Sequence, residues 1–229
     1  MPEDKKNEKF KLNFFYFLIV SSIIILIIFI FIISSFWSYW SKIWRIEEFY
    51  KEQNKSANVS PTLNRLDPSI GDNNAKVILI EYTDFACNAC KNTNDILNEI
   101  KNIYGNRIKI VFKALPVINE LLSKKAAVAA YCAGEQNKFW EFKDLLFENN
   151  NILFDETFYN LAGALGLNQQ NFTTCLNSQK YDALINNNIA EALKLQIISI
   201  PTIYINNEQI TEYVAVNTLK NIIDNKLNQ

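Results

Sequence analysis

Cys87 and Cys90 enclose two residues in the run Cys87-Asn88-Ala89-Cys90, and no other spacing in the chain offers such direct chemistry. Two intervening residues place both thiols on one helical turn, close enough for an intramolecular disulfide. If Cys87 falls at a helix start, unpaired N–H groups and the helix dipole stabilise its thiolate. A stabilised thiolate is a good leaving group and favours the reduced form, so the disulfide becomes oxidising. Cys90, one turn in, would be shielded and would resolve mixed disulfides. A Cys-x-x-Cys pair is also half of a zinc ribbon, but such a site needs four ligands. The chain has no histidine, and its other two cysteines, Cys132 and Cys175, do not form a second such pair. Neither a metal nor a cofactor is expected.

The absence of histidine also excludes a Ser-His-Asp triad and a Cys-His nucleophile pair. Acid–base work must fall to carboxylates, lysines, tyrosines or thiols. A net charge of -1 gives no support to nucleic-acid binding.

A redox pair needs a frame. Val77 to Tyr82 (VILIEY) is short, apolar and β-branched, which predicts a strand buried on both faces. Asp84-Phe85-Ala86 turns into the cysteine pair. Lys91 to Tyr104 reads as a helix with Ile96, Leu97, Ile100 and Ile103 on one face, stopped by Gly105. Arg107 to Lys113 reads as a second strand, completing a βαβ unit. Helical patterns then follow over Val117 to Gly134, Asn137 to Asn149, Asp155 to Leu165, Gln169 to Leu176 and Lys180 to Leu195. Ile200 to Ile205 is a strand headed by proline. Asn206-Asn207 suggests a hairpin turn into Glu208 to Ile210, and Val216 to Leu227 a closing helix. The fold class expected is α/β, with a helical insert at about 117–196 inside the frame.

The amino-terminal part has a different character. Leu12 to Trp40 is almost wholly apolar and uncharged. Its centre, Phe14 to Ile33, has about the 20 residues that span a bilayer core of about 30 Å. Trp37, Tyr39, Trp40 and Trp44 suit the headgroup zone. Lys5, Lys6, Lys9 and Lys11 precede the span, whereas Lys42, Arg45 and Lys51 behind it are mixed with Glu47, Glu48 and Glu52. The positive-inside bias favours a cytoplasmic amino terminus. A cleaved signal would have a shorter apolar core and a small-x-small cleavage site. The expectation is a cytoplasmic segment over 1–11, a transmembrane helix over 12–37, an extracytoplasmic linker over 38–74 and the redox domain over 75–229. The linker has no room for a dimerisation module, so a monomer is expected.

The run Glu81-Tyr82-Thr83-Asp84-Phe85-Ala86-Cys87-Asn88-Ala89-Cys90 resembles the active-site entry of the DsbA-like thiol:disulfide oxidoreductases, which have a thioredoxin fold with a helical insert. Tyr131-Cys132-Ala133-Gly134-Glu135-Gln136-Asn137-Lys138-Phe139-Trp140 looks like that family's insert. Leu165-Gly166-Leu167 with Phe172 and Cys175 matches the stretch after it, and Ile200-Pro201-Thr202 resembles its cis-proline loop. The resemblance covers about Asp67 to Leu227. It implies that Pro201 is cis, with its loop against the Cys87 sulfur, and that Ile200 and Thr202 belong to the substrate loop. Proline has no N–H, so that loop stays open to a substrate strand. Glu81 would be the buried acid that takes the proton of Cys90, with Lys113 offsetting its charge.

This chain departs from the family where Asn88-Ala89 replaces the Pro-His dipeptide of strong oxidants. The missing imidazole removes a cation that would favour the Cys87 thiolate, so a less oxidising disulfide is expected. Ile198-Ser199 also lacks the usual glycine. Cys132 and Cys175 have two readings, as buried free thiols or as a disulfide stapling the insert. An oxidising location favours the staple.

The function expected is disulfide formation in exported cysteine-containing proteins, with a quinone-linked membrane protein as reoxidase. A disulfide reductase or isomerase, and a non-catalytic membrane-tethered chaperone, are the alternatives. The last would keep its activity when Cys87 is replaced by serine.

Overall fold

The computed structural model describes residues 26, 29–37, 39, 40, 44, 60–210 and 215–229, and the chain divides into two units, Met1–Asn58 and Val59–Gln229. In the first unit, residues 29–37 are helical, and Phe29 to Ile33, Phe36 and Trp37 expose their side chains. Among the described residues no helix is long and apolar enough to cross a membrane. The segment expected to do so, 12–37, lies largely outside them, as does all of 1–11.

The second unit is built on a five-stranded sheet. Its first strand, β1 (Ser69–Gly71), is followed by β2 (Val77–Thr83), α1 (Asn88–Tyr104), a short 3-10 turn and β3 (Ile108–Ala114). Five helices come next: α2 (Glu120–Gly134), α3 (Phe139–Glu148), α4 (Asp155–Ala164), α5 (Gln169–Leu176) and α6 (Asp182–Lys194). β4 (Thr202–Ile205), β5 (Glu208–Ile210) and α7 (Val216–Leu227) complete the frame. The strand order is β1-β3-β2-β4-β5. Only β2 and β3 are parallel; the other neighbours run antiparallel.

β2 and β3 pair in register from Val77 beside Ile108 to Thr83 beside Ala114. Side chains alternate between sheet faces, so the register sorts the core. Val77, Leu79, Ile108 and Ile110 pack with Leu97, Ile100 and Tyr104 of α1 and with Leu219 and Ile223 of α7. Ile80, Tyr82 and Val111 lie on the opposite face with Ala192 of α6 and Tyr204 of β4. Phe85, beyond the end of β2, and Phe112 of β3 join a third cluster with helices α2 to α6. A near-stacked ring pair, Phe85 on Phe112 at 5.4 Å, leads from the redox turn into that insert.

Several boundaries differ from the sequence reading, and two have a plain cause. The stretch assigned to a linker, 38–74, contains β1, and Phe112 N–H donates to Pro68 O at 2.9 Å just ahead of that strand. A strand of three residues, Ser69–Gly71, is too short for an alternation signal. Gly71 has φ 102°, and a Cβ there would lie 2.0 Å from Ile108 O, so only glycine fits beside β3. The insert's first helix begins at Glu120 rather than Val117, because Asn119 caps it by accepting the Leu122 N–H at 3.2 Å. Cys132 of α2 and Cys175 of α5 form a disulfide, with Cα atoms 5.7 Å apart.

Candidate active site

Cys87 is the N-cap of α1, and its sulfur accepts the Cys90 N–H at 3.2 Å. The sequence produces this cap through Asp84. Its Oδ1 accepts the Ala86 N–H at 2.8 Å, and its backbone O accepts the Cys87 N–H at 3.2 Å. Asp84 Oδ2 accepts two further N–H groups, from Val117 at 2.8 Å and Ile118 at 2.9 Å. One buried carboxylate thus fastens the redox turn to the loop that opens the insert. It explains why Val117 and Ile118 stay outside α2, and the sequence reading passed over it.

Both cysteines are free thiols. Cys87 retains 7% exposure and Cys90 none. Burial pushes the Cys90 thiol well above the ordinary range, the hydrogen bond with Cys87 adds to this, and nearby Asp84 backbone and Thr83 hydroxyl groups work against it. Asn88 and Ala89 are exposed, and Asn88 Oδ1 accepts from Asn150 Nδ2 at 2.8 Å. The loop between α3 and α4 therefore touches the start of α1.

Glu81 is 1% exposed, and its Oε1 has no hydrogen-bond partner. Burial raises its pKa, and Lys143 is the main influence opposing the rise. Thr83, two residues on and so on the same sheet face, is also buried, with an unpartnered Oγ1. It falls outside hydrogen-bonding geometry but lies close enough to influence both Glu81 and Cys90.

The expected pairing of Glu81 with Lys113 does not occur. Glu81 stands beside Phe112, and Lys113 beside Tyr82, so Lys113 points to the opposite face. There Lys113 Nζ meets Asp67 Oδ2 at 3.0 Å and Glu191 Oε2 at 2.8 Å. The cation near Glu81 is Lys143 of α3, itself 1% exposed. Its Nζ donates to Asn94 Oδ1 of α1 and lies 3.7 Å from Asp144 Oδ1. A signal for it existed in the sequence. Phe139, Lys143 and Phe147 follow a spacing of four, which places the lysine in the middle of the buried stripe of α3.

The Ile200–Pro201 peptide is cis. Ile200 packs against the cluster that contains Cys87 and Cys90. Thr202 opposes Tyr82 across the β2–β4 pair, and its hydroxyl donates to Ser199 O at 2.7 Å. Cys132, Glu135 and Cys175 also gather side-chain donors at one place, but the two sulfurs are bonded to each other and offer a metal no thiolate.

Comparison with known proteins agrees with this architecture. A family model described as thioredoxin matches residues 64–225. Protein RP025 of Rickettsia prowazekii, whose name assigns it to the protein-disulfide oxidoreductases, is 27% identical over 172 residues, covering 70% of this chain and 61% of its own. The Na(+)/H(+) antiporter NhaA of Herminiimonas arsenicoxydans is 24% identical over 163 residues, covering 69% of this chain and 26% of the antiporter. The chain therefore spans less than two thirds of either relative. Among solved structures, oxidised BdbD from Bacillus subtilis superposes with a TM-score of 0.67 at 23% identity, over 74% of this chain and 97% of BdbD. The thiol-disulfide exchange protein alpha-DsbA2 from Wolbachia pipientis gives 0.65 at 21% identity, over 78% and 92%.

Proposed function

We propose, given that the chain belongs to the thioredoxin family, that it is a DsbA-like protein thiol:disulfide oxidoreductase working through Cys87 and Cys90. The observation that carries this reading is the asymmetry of the pair. Cys87 caps the helix and keeps 7% exposure, whereas Cys90, one turn behind it, has none. A sulfur anion at Cys87 is met by a backbone N–H and by the positive end of α1. A client thiolate attacks the Cys87 sulfur of the oxidised pair, the bond to Cys90 breaks, and a mixed disulfide remains. Cys90 leaves as a thiolate in an apolar setting and takes a proton from Glu81. A second client thiolate then attacks the client sulfur of the mixed disulfide, and Cys87 departs with both electrons of the broken bond. Ile200 packs against the cluster that holds the cysteines, and a substrate strand would lie along the Ile200–Pro201 loop.

Net oxidation of exported proteins is the direction proposed, with residues 12–37 as a membrane anchor and the redox domain outside the cytoplasm. The exposed apolar helix over 29–37 and the lysines at the amino terminus support that topology. A quinone-linked membrane protein would restore the disulfide. Asn88-Ala89 favours a second reading, reduction or isomerisation, because no imidazole supports the Cys87 thiolate.

Rapid alkylation with iodoacetamide tests the assignment of roles. Cys87 should react faster than Cys90 near neutral pH, Cys90→Ser should trap clients through Cys87, and Cys87→Ser should abolish exchange. Faster alkylation of Cys90 would overturn the assignment. The equilibrium potential against glutathione then decides direction. A value near that of DsbA supports oxidation, and one near that of thioredoxin supports reduction.

A further inference from the structure

We propose that the staple of the insert is one state of a second site: with Cys132 and Cys175 as thiols, their sulfurs and the Glu135 carboxylate hold a divalent metal of the zinc class. Staple and metal exclude each other. Neither Cys87 nor Cys90 takes part, so the site stands apart from the redox reading above.

The donors come from two elements. Cys132 and Glu135 are three residues apart at the end of α2, a spacing that puts both on one face. Cys175 reaches them from α5, its Cα 5.7 Å from that of Cys132. One ligand atom from each residue lies within 4.8 Å of the others, and Glu135 Oε1 is 3.1 Å from the Cys175 sulfur. Lys180 Nζ donates to that same oxygen at 2.8 Å, and Tyr181 OH donates to it at 2.9 Å. The disulfide has no hydrogen to give this oxygen, so the staple does not account for its place. The three residues border a cavity of about 450 Å³ that Asn171, Ser178 and Lys180 also line. A metal between them would keep one side open to water.

Two thiolates, a carboxylate and a water make a four-coordinate set, and thiolates select zinc over calcium or magnesium. In such a set each sulfur is about 2.3 Å from the metal and the two are about 3.8 Å apart. Cα atoms as close as these span that separation by side-chain rotation.

The two states differ by electrons. Closing the staple takes two electrons and two protons from the thiols, and a disulfide in another molecule is reduced to two thiols in exchange. Metal binding takes the protons alone, which pass to solvent, and both sulfurs remain thiolates. A chain that takes up metal before oxidation therefore resists stapling until the metal leaves. Lys180 opposes the metal, because its ammonium group lies against the ligand oxygen.

Full-length Cys87→Ser/Cys90→Ser protein, reduced with a phosphine, desalted and titrated with cobalt(II), reads the site directly. One equivalent should produce thiolate-to-cobalt charge-transfer absorption, and zinc(II) should abolish it by displacement. The same protein with its staple intact should give none. Glu135→Gln should weaken cobalt binding about tenfold or more, and Lys180→Gln should tighten it. Bound zinc should slow re-formation of the disulfide by oxidised glutathione about tenfold or more, because the thiolates are engaged. If the reduced protein loses its fold, zinc should restore its helical circular dichroism, and should fail to do so once Cys132→Ser and Cys175→Ser are added. Absence of the charge-transfer band, equal binding by the stapled protein, unchanged affinity in Glu135→Gln, or a lost fold that zinc does not restore would overturn the proposal. None of these outcomes touches the redox reading, since the variant carries no Cys87 or Cys90.

Discussion

The two faces of the central strands each bury one lysine, and the two are provided for differently. Lys113 meets two carboxylates within 3.0 Å, Asp67 and Glu191. Glu191 also accepts from Tyr82 OH at 2.7 Å and from the Thr62 N–H at 2.6 Å. Lys143 on the other face has an amide and two rings for company, a carboxylate at 3.7 Å on its own helix, and Glu81 as a less intimate partner. A lysine surrounded by close acceptors ties elements together. A lysine left short of them has its ammonium form disfavoured by burial. The two are about equally hidden from solvent.

Replacing each lysine by methionine should break the comparison if it is wrong. Lys113→Met leaves two acidic groups without their cation, and removing one partner of a buried pair costs about 3–5 kcal/mol. Urea unfolding should register that loss, while Cys87 of the folded fraction keeps its rate of alkylation by iodoacetamide. Next in size is the disulfide. Cys132→Ser with Cys175→Ser opens a loop of 43 residues, worth at most about 4 kcal/mol by loop entropy. Mass spectrometry after alkylation should first find that bond intact in a Cys87→Ser/Cys90→Ser protein. Lys143→Met should cost about 1–3 kcal/mol by the same urea measurement, because it leaves the buried Asn94 Oδ1 without its donor but strands no carboxylate as close as those of Lys113.

The smallest effect is a change in acid sensitivity. Burial alone would raise the Glu191 carboxyl, but the hydrogen bonds from Lys113, Thr62 and Tyr82 together outweigh it, and its pKa is lowered. A carboxyl whose folded-state pKa is depressed adds stability that is complete above its unfolded value and is lost as pH falls through the folded one. Asp67 has the opposite sign, since burial raises it despite Lys113. Melting temperature followed from pH 7 downward should therefore fall less steeply in Glu191→Gln than in the unaltered protein. An unchanged slope would show that Glu191 contributes no pH-dependent stability.

Much of the frame was legible because local patterns and tertiary structure agree there. VILIEY becomes β2, the pair follows it onto α1, and Gly105 ends that helix as its spacing suggests. The insert's helices emerged with their ends displaced by a few residues, because caps such as Asn119 depend on where the preceding loop is fastened. The lysine partner was misread for a reason of parity. Glu81 and Lys113 sit near the ends of matching strands, but one residue of register decides whether they share a face, and no sequence pattern supplies that register. β1 was missed because an edge strand of three residues packs one apolar side chain, Ile70, and is otherwise joined to β3 by its main chain. Asp84 reads as a turn residue, and its burial goes with the Val117 and Ile118 N–H groups that it accepts.

The bond between Cys132 and Cys175 encloses the chain from the end of α2 through α3 and α4 into α5, and Lys143 lies within that ring. The part of the molecule that delivers this cation is thus closed by the same kind of bond that the enzyme is proposed to make. An enzyme with the proposed activity would itself have to acquire such a bond before the ring that carries α3 is closed.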